Sequence, residues 1–194
     1  MANSSSIPAV GKTILGLLED HCPDSLLESP KFELQQPAHY GDGMSEGFSL
    51  LLYRVSVNAT LRNLPSRRGV DGRRLRPSLP LDLHYVLTPW AKSADTQQVL
   101  LGWAMRFLED RSILPAGIIN SYLPGVFRQD EAIELVCDSL PLQEYFNLWD
   151  KLKTKMQVSA TYVARMVLLD SECEVAESPA VQTREFQVGE PLQA

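Results

Sequence analysis

Three segments of the chain carry hydrophobic residues at the three- and four-residue spacing of an amphipathic helix: residues 7–20, 95–110 and 141–153. Asp95 is placed to cap the second helix, with Gln98 as its capping-box partner. We expect each helix to bury one apolar stripe. In the second and third helices the stripes comprise Val99, Leu100, Trp103, Phe107, Leu108, Leu142, Phe146, Trp149 and Leu152.

Strand-like patterns lie between these helices. Residues 48–57 are apolar on both faces, which predicts a strand in the centre of a sheet. Residues 79–88 and 131–137 alternate between apolar and polar side chains, and residues 158–169 form the last long strand. With a short strand at 32–34, the order predicts an α+β fold, in which helices flank a mainly antiparallel sheet.

The composition is that of one folded domain with an acidic extension. A chain of 194 residues, 44% of them hydrophobic, can build a substantial core. We predict a flexible N-terminus over residues 1–6, a domain over residues 7–171 and an acidic C-terminal tail over residues 172–194. Within the domain, residues 113–122 are expected to be extended or to form a turn.

Cysteine usage and hydropathy favour a cytoplasmic protein without metal, disulfide or membrane contacts. The three cysteines, Cys22, Cys137 and Cys173, are too widely spaced for a metal site or a disulfide framework. The apolar runs fall short of the roughly 20 residues that cross a bilayer. The first residues do not form a signal peptide, so we expect the protein to fold in the cytoplasm with reduced thiols.

An arginine-rich loop over residues 62–76 contrasts with the net charge of −6. No aromatic residue lies in it to stack on bases, so contact with an acidic protein surface is favoured and nucleic acid is the weaker alternative. Residues 170–190 are strongly acidic, which predicts opposite charges on different surfaces of the subunit. The alternative is a solvated loop. The candidate interface residues are Arg62, Arg67, Arg68, Arg73, Arg74 and Arg76.

The short motifs that suggest catalysis fail in their context. Gly43–Gly47 matches a nucleophile elbow around Ser45, but that motif needs a strand before the serine and a helix after it. Residues 11–13 end like a phosphate-binding loop but lie within a predicted helix. Asp82 and His84 share a strand without a second catalytic group. We therefore expect no enzyme activity, no catalytic residues, no cofactor and no metal.

Several segments, taken together, are similar to one protein family. These segments are Leu51–Val55, Asn58, Leu61–Asn63, Pro80–Thr88, Leu100–Met105, Leu148–Leu152 and Ser159–Tyr162. Through them the chain resembles the tail-terminator or cap proteins of bacterial contractile injection systems, which are phage-tail-like particles that include insecticidal cassettes and antifeeding prophages. The resemblance covers residues 7–171 and leaves out the acidic tail.

The resemblance implies a structural protein that forms a hexameric ring with copies of itself. Such a ring ends the inner tube and the sheath and links them, so the implied partners are the inner tube protein and the sheath protein, with neither nucleic acid nor membrane. Assembly would take place in the cytoplasm, as part of a particle that can leave the cell. The alternative is a cytosolic protein-binding or regulatory module without catalytic activity.

Overall fold

The computed structural model describes residues 4–23, 25–69, 72–152 and 154–175. Within these ranges the α-helices are α1 (Ser6–His21), α2 (Ala94–Glu109), α3 (Ala116–Tyr122) and α4 (Leu142–Leu152). The strands are β1 (Lys31–Leu34), β2 (Gly47–Val57), β3 (Arg67–Arg68), β4 (Arg74–Leu75), β5 (Leu79–Trp90), β6 (Ile113–Pro115), β7 (Ala132–Cys137) and β8 (Ala160–Leu169). None of the helices in the described residues is long and apolar enough to cross a membrane.

Six of the strands form one sheet in the order β1-β2-β5-β8-β7-β6. All neighbours are antiparallel except β1 and β2, which run parallel. This confirms the predicted α+β class with a mainly antiparallel sheet. The predicted central position of β2 is wrong, because β5 and β8 occupy the centre and β1 covers β2 only from Gly47 to Leu50.

Two bulges interrupt the sheet on either side of β5. In β2, Tyr53 is an extra residue between the pairs of Leu52 and Arg54 with their β5 partners. In β8, Arg165 and Met166 lie opposite the single residue Asp82, and Met166 has a φ of 67°. Bulges of this kind increase the local twist, so the sheet bends where β5 pairs with β2 and where it pairs with β8.

The sheet buries a different cluster on each face. Alternate residues of β5, such as Leu83 and Tyr85, pack with α1, α2 and α3 in the larger cluster. Val86 points to the other face, where it packs with Trp149 and Leu152 of α4. Because successive side chains of β5 point to opposite faces of the sheet, this one strand contributes to both clusters.

The predicted helices α1, α2 and α4 are present, but the predicted cap of α2 and some of the predicted buried side chains are wrong. Ser93, not Asp95, caps α2, because the extended Ser93 accepts a hydrogen bond from the Thr96 N–H at 3.1 Å. Val99 was expected in the buried stripe but is 54% exposed, since the buried face of α2 centres on Leu100, Ala104, Phe107 and Leu108.

Two predicted core residues of α4 also face solvent. Leu142 is 70% exposed at the first position of the helix, and Phe146 is 42% exposed. The expectation for residues 113–122 was correct only for its first part, because α3 follows β6 directly.

The described elements reach past both predicted limits of the domain. Ser6, the last residue of the predicted N-terminus, is fully buried and begins α1. At the other end, residues 170–175 continue from β8 and lie against the β3–β4 hairpin. Residues 176–194, the remainder of the predicted acidic tail, lie outside the described residues.

Candidate assembly surface

The arginine-rich loop folds into a short hairpin between β2 and β5. β3 and β4 pair antiparallel, with Arg67 opposite Leu75 and Arg68 opposite Arg74. The Gly69 N–H donates to the Arg73 carbonyl, which closes the turn. Gly72 has a φ of 81°, a conformation that glycine adopts without steric penalty.

The acidic segment after β8 pairs with this hairpin through its backbone. Leu75 forms an antiparallel bridge with Glu174. The Arg76 N–H donates to the Cys173 carbonyl at 2.9 Å, and the Val175 N–H donates to the Arg74 carbonyl at 2.8 Å. The basic loop and the start of the acidic tail therefore lie on one surface. The expectation that they occupy different surfaces is wrong for residues 170–175.

A buried carboxylate, that of Asp170, anchors the arrangement. Its side chain is 3% exposed, and its oxygens lie 3.1 Å from the Arg67 Nη1 and 2.9 Å from the Arg128 Nη1. The Ser78 hydroxyl donates to the same carboxylate at 2.7 Å. Charge-assisted bonds to a desolvated carboxylate are stronger than neutral ones, so this cluster ties the hairpin to the body of the sheet.

Arg128 extends the cluster to a second carboxylate. Its Nη2 lies 2.9 Å from Glu131, whose side chain is 7% exposed. Burial raises the pKa of Glu131, and Arg128 offsets part of that shift. Burial opposes the charge of Arg128, but Glu131 and Asp170 together raise the pKa of its guanidinium. The site is thus a structural ion network at the base of the hairpin.

The six predicted interface arginines divide into two groups. Arg67 and Arg73 form ion pairs within the subunit, to Asp170 and Glu174 respectively. The other four are exposed, and no carboxylate in the described part of the chain forms an ion pair with them; they are Arg62, Arg68, Arg74 and Arg76. These four leave positive charge available on the surface of the hairpin.

Sequence reasoning missed the internal partners of the basic loop. Asp170 directly follows β8 and Arg128 lies in the turn after α3, so nothing in their spacing connects them to Arg67. The signal that was present is the change of composition at residue 170, where acidic residues begin immediately after the last core strand.

The residues of the rejected catalytic motif are not assembled into a site. Ser45 is exposed in the loop before β2, whereas the Nε2 of His84 lies 3.0 Å from the hydroxyl of Ser56. Asp82 accepts from the amide of Asn58. Burial lowers the pKa of His84. Among the described residues no group of histidine, cysteine and carboxylate side chains is arranged to hold a metal ion.

Comparison with known proteins gives one family model and several solved structures of similar fold, two of which follow. A family model described as the Pvc16 N-terminal domain matches residues 9–183. A cryo-EM structure of the sheath/tube terminator of an extracellular contractile injection system, PVC, in its extended state matches with a TM-score of 0.61 and 16% identity over 95% of this chain. The tube-terminating cap of the anti-feeding prophage matches with a TM-score of 0.60 and 15% identity over 92% of this chain.

This chain aligns with only part of each matched structure. The chain spans 64% of the PVC terminator and 60% of the anti-feeding prophage cap, less than two thirds of either. At such identities the likeness shows a shared fold. No curated protein sequence matches the chain.

Proposed function

The chain belongs to the Pvc16 N-terminal domain family, and we propose that it is a structural cap of a contractile injection system. In this role it ends the inner tube and the sheath of the particle and links the two. The observation that carries the proposal is a fold shared over 95% of the chain with a solved sheath/tube terminator. The domain that performs this role is proposed to be residues 7–171, with residues 172–194 as its acidic extension.

The cap is proposed to act as a ring of identical subunits, six in number. A closed ring buries two different patches on every subunit, head to tail. Its other partners are the inner tube protein and the sheath protein, and it needs neither nucleic acid nor membrane. Assembly takes place in the cytoplasm, on a particle that can be released from the cell. The protein has no catalytic role in this process.

The exposed arginines of the hairpin supply one contact of this assembly. Arg62, Arg68, Arg74 and Arg76 carry positive charge on a chain with a net charge of −6. A local patch of opposite sign orients an acidic partner and raises the association rate. Arg67 and Arg73 hold the hairpin in place from inside the subunit, so they support the contact indirectly.

The proposal is tested on particles from cells that lack this protein. We expect electron micrographs to show tubes and sheaths of irregular length without a closed end, and expression of the wild-type chain to restore regular capped particles. Regular capped particles in the deletion strain would overturn the cap assignment. That outcome would favour a monomeric module that binds a soluble partner.

A further inference from the structure

Among the described residues, no strand pairs with the outer edge of β2 over more than half of its length. β1 pairs with β2 only from Gly47 to Leu50, and the Gln35 N–H then donates to the Leu50 carbonyl. From Leu51 to Val57, β2 pairs within the described residues only with β5, on its inner side. Such an edge presents backbone N–H and C=O groups to any extended segment that can reach it.

One face of this open edge is apolar. Val55 and Val57 are 45% and 40% exposed. They lie on the side of the sheet that carries α1, because they pair with the core residues Leu83 and Leu81 of β5. A segment that pairs with β2 can therefore bury these two valines only if it has apolar side chains on the same face.

A cavity of about 450 Å³ continues this apolar face where β1 ends. It lies between the start of α1 and β2, and its lining includes Ile7, Pro8, Leu34, Leu52 and Tyr85. A space of this size, with mostly apolar walls, can accept large side chains from an added strand.

The opposite face of the edge carries one charged side chain of β2, that of Arg54. Arg54 is exposed and pairs with His84, so its side chain lies on the face away from the valines. The bulge at Tyr53 interrupts the regular edge beside it. Bulges and charges restrict unselective strand pairing, so this edge favours a partner with an acidic residue at the matching position.

Part of the C-terminal segment of the chain complements this edge. In an extended conformation Phe186 and Val188 lie on one face together with Arg184, and Glu185 lies on the other face together with Val181. Pro179 and Gly189 bound this run. If Phe186 faces the two valines of β2, Glu185 lies on the face of Arg54.

We propose that residues 181–188 of one subunit add to the open edge of β2, Leu51–Val57, in a second copy of this chain. Phe186 and Val188 pack against Val55, Val57 and the cavity, and Glu185 pairs with Arg54. The choice of a second copy rests on the proposed ring, which requires two different complementary patches on each subunit. The edge and the segment are two such patches.

The binding site is tested with a synthetic peptide of residues 176–194. The acceptor is the full chain with Phe186→Ser and Val188→Ser, which disables its own segment and leaves the edge free. We expect saturable binding by fluorescence anisotropy. Arg54→Glu in the acceptor should weaken binding by up to about fivefold, the range of an exposed ion pair, and a peptide with Glu185→Arg should restore it. Absence of saturable binding would overturn the proposal.

A second variant blocks the edge and keeps the segment. Because the Asn58 N–H donates to Pro80 of β5, the alternation along β2 directs the Val55 N–H outward. Val55→Pro therefore removes an outward donor and spares the bonds to β5. Val55→Thr keeps the donor and the branched side chain, and is the matched control.

Mixing the two kinds of variant shows which subunit supplies the segment. By light scattering we expect the wild-type chain to be oligomeric, each variant alone to be monomeric, and the Val55→Pro chain to form a one-to-one complex with the Phe186→Ser, Val188→Ser chain. A monomeric wild type that does not bind the peptide would mean that the segment covers its own edge, which refutes the exchange between copies. Neither the absence of peptide binding nor a monomeric wild type would change the cap assignment. That assignment is tested separately, on particles from cells that lack this protein.

Discussion

The Nη1 of Arg67 lies 3.1 Å from the carboxylate of Asp170, and this contact joins the basic loop to the beginning of the acidic segment inside one subunit. The Asp170 side chain is 3% exposed and that of Arg67 19%, so the pair belongs to the fold rather than to the solvated surface. The hairpin is thereby held in one orientation, which a protein contact made by its remaining arginines requires.

Removing the buried carboxylate should destabilise the subunit. Asp170→Ala leaves Arg67 and Arg128 without their shared partner; Arg128 retains Glu131. Breaking a fully buried pair costs about 3–5 kcal/mol, and the partial exposure of both arginines lowers the expectation to about 2–3 kcal/mol. Urea denaturation measures the loss. Asp130→Ala, at an 80% exposed side chain, is the control and should change stability by less than about 0.5 kcal/mol.

Two truncations separate the part of the acidic tail that contributes to the fold from the rest. A chain that ends at Val175 retains the backbone bonds to Arg74 and Arg76 and should unfold at the same urea concentration as the Phe186→Ser, Val188→Ser chain, which also lacks the proposed contact between copies. A chain that ends at Ser171 loses those bonds and the Glu174 pair, at about 0.5–1.5 kcal/mol per bond. Equal stability of the two truncated chains would show that residues 172–175 do not support the hairpin.

Acid should weaken the loop before β2 through Glu46. Its carboxylate lies 3.2 Å from Lys92 Nζ and accepts from the N–H groups of Glu28 and Ser29. The hydrogen bond from Lys92 is the main reason that the pKa of Glu46 is lowered. This stabilisation is present above the carboxylate's ordinary pKa, about 4.3, and is lost as pH falls through the lowered value.

The pH prediction is checked by acid titration of the unfolding free energy. Glu46→Gln should flatten the decline in stability below about pH 4.3, where glutamates normally titrate. Glu33→Gln, at an exposed residue of β1, is the control and should leave the profile unchanged. An identical acid profile for the Glu46→Gln chain and the wild type would contradict the assigned role of the Lys92 contact.

The exposed arginines should affect assembly without affecting folding. Arg62, Arg68 and Arg76 have no acidic partner in the described residues, so their replacement by Ser should leave the melting temperature within about 2 °C. Capping in the deletion strain should become less efficient, and binding to the purified tube or sheath less sensitive to salt.

The matched control for the arginines removes the same charge elsewhere. Lys12, Lys151 and Lys155 are exposed outside the hairpin, and their replacement by Ser should leave capping efficient. If both triple variants cap equally well, the hairpin has no part in the contact and the cap assignment is unaffected.

Local patterns predicted the long helices and strands, but not α3, the β3–β4 hairpin or the way the elements meet. The spacing along α1 and the alternation along β5 reflect burial of one face, which short-range periodicity encodes directly. The ion pair of Arg67 with Asp170 depends on which strand ends lie together, and that is decided by the strand order. Leu142 and Phe146 fit a helical stripe, yet both are exposed, and the buried residues of α4 are Trp149 and Leu152.

The bulge at Tyr53 explains why β2 resembles a strand buried on both faces. Phe48, Leu50 and Leu52 face one side in one phase, and Val55 and Val57 return to the same side after the extra residue shifts the phase. The strand therefore consists of two segments whose side chains alternate in opposite phase, and the bulge at Tyr53 joins them. Losing Tyr53 would remove the bulge and keep every cross-strand pair of β2 with β5 in place, and losing Arg54 would do the same with Tyr53 opposite His84. Within β2, the bulge at Tyr53 and Arg54 is therefore a place where one residue can be lost while the core side chains keep their face.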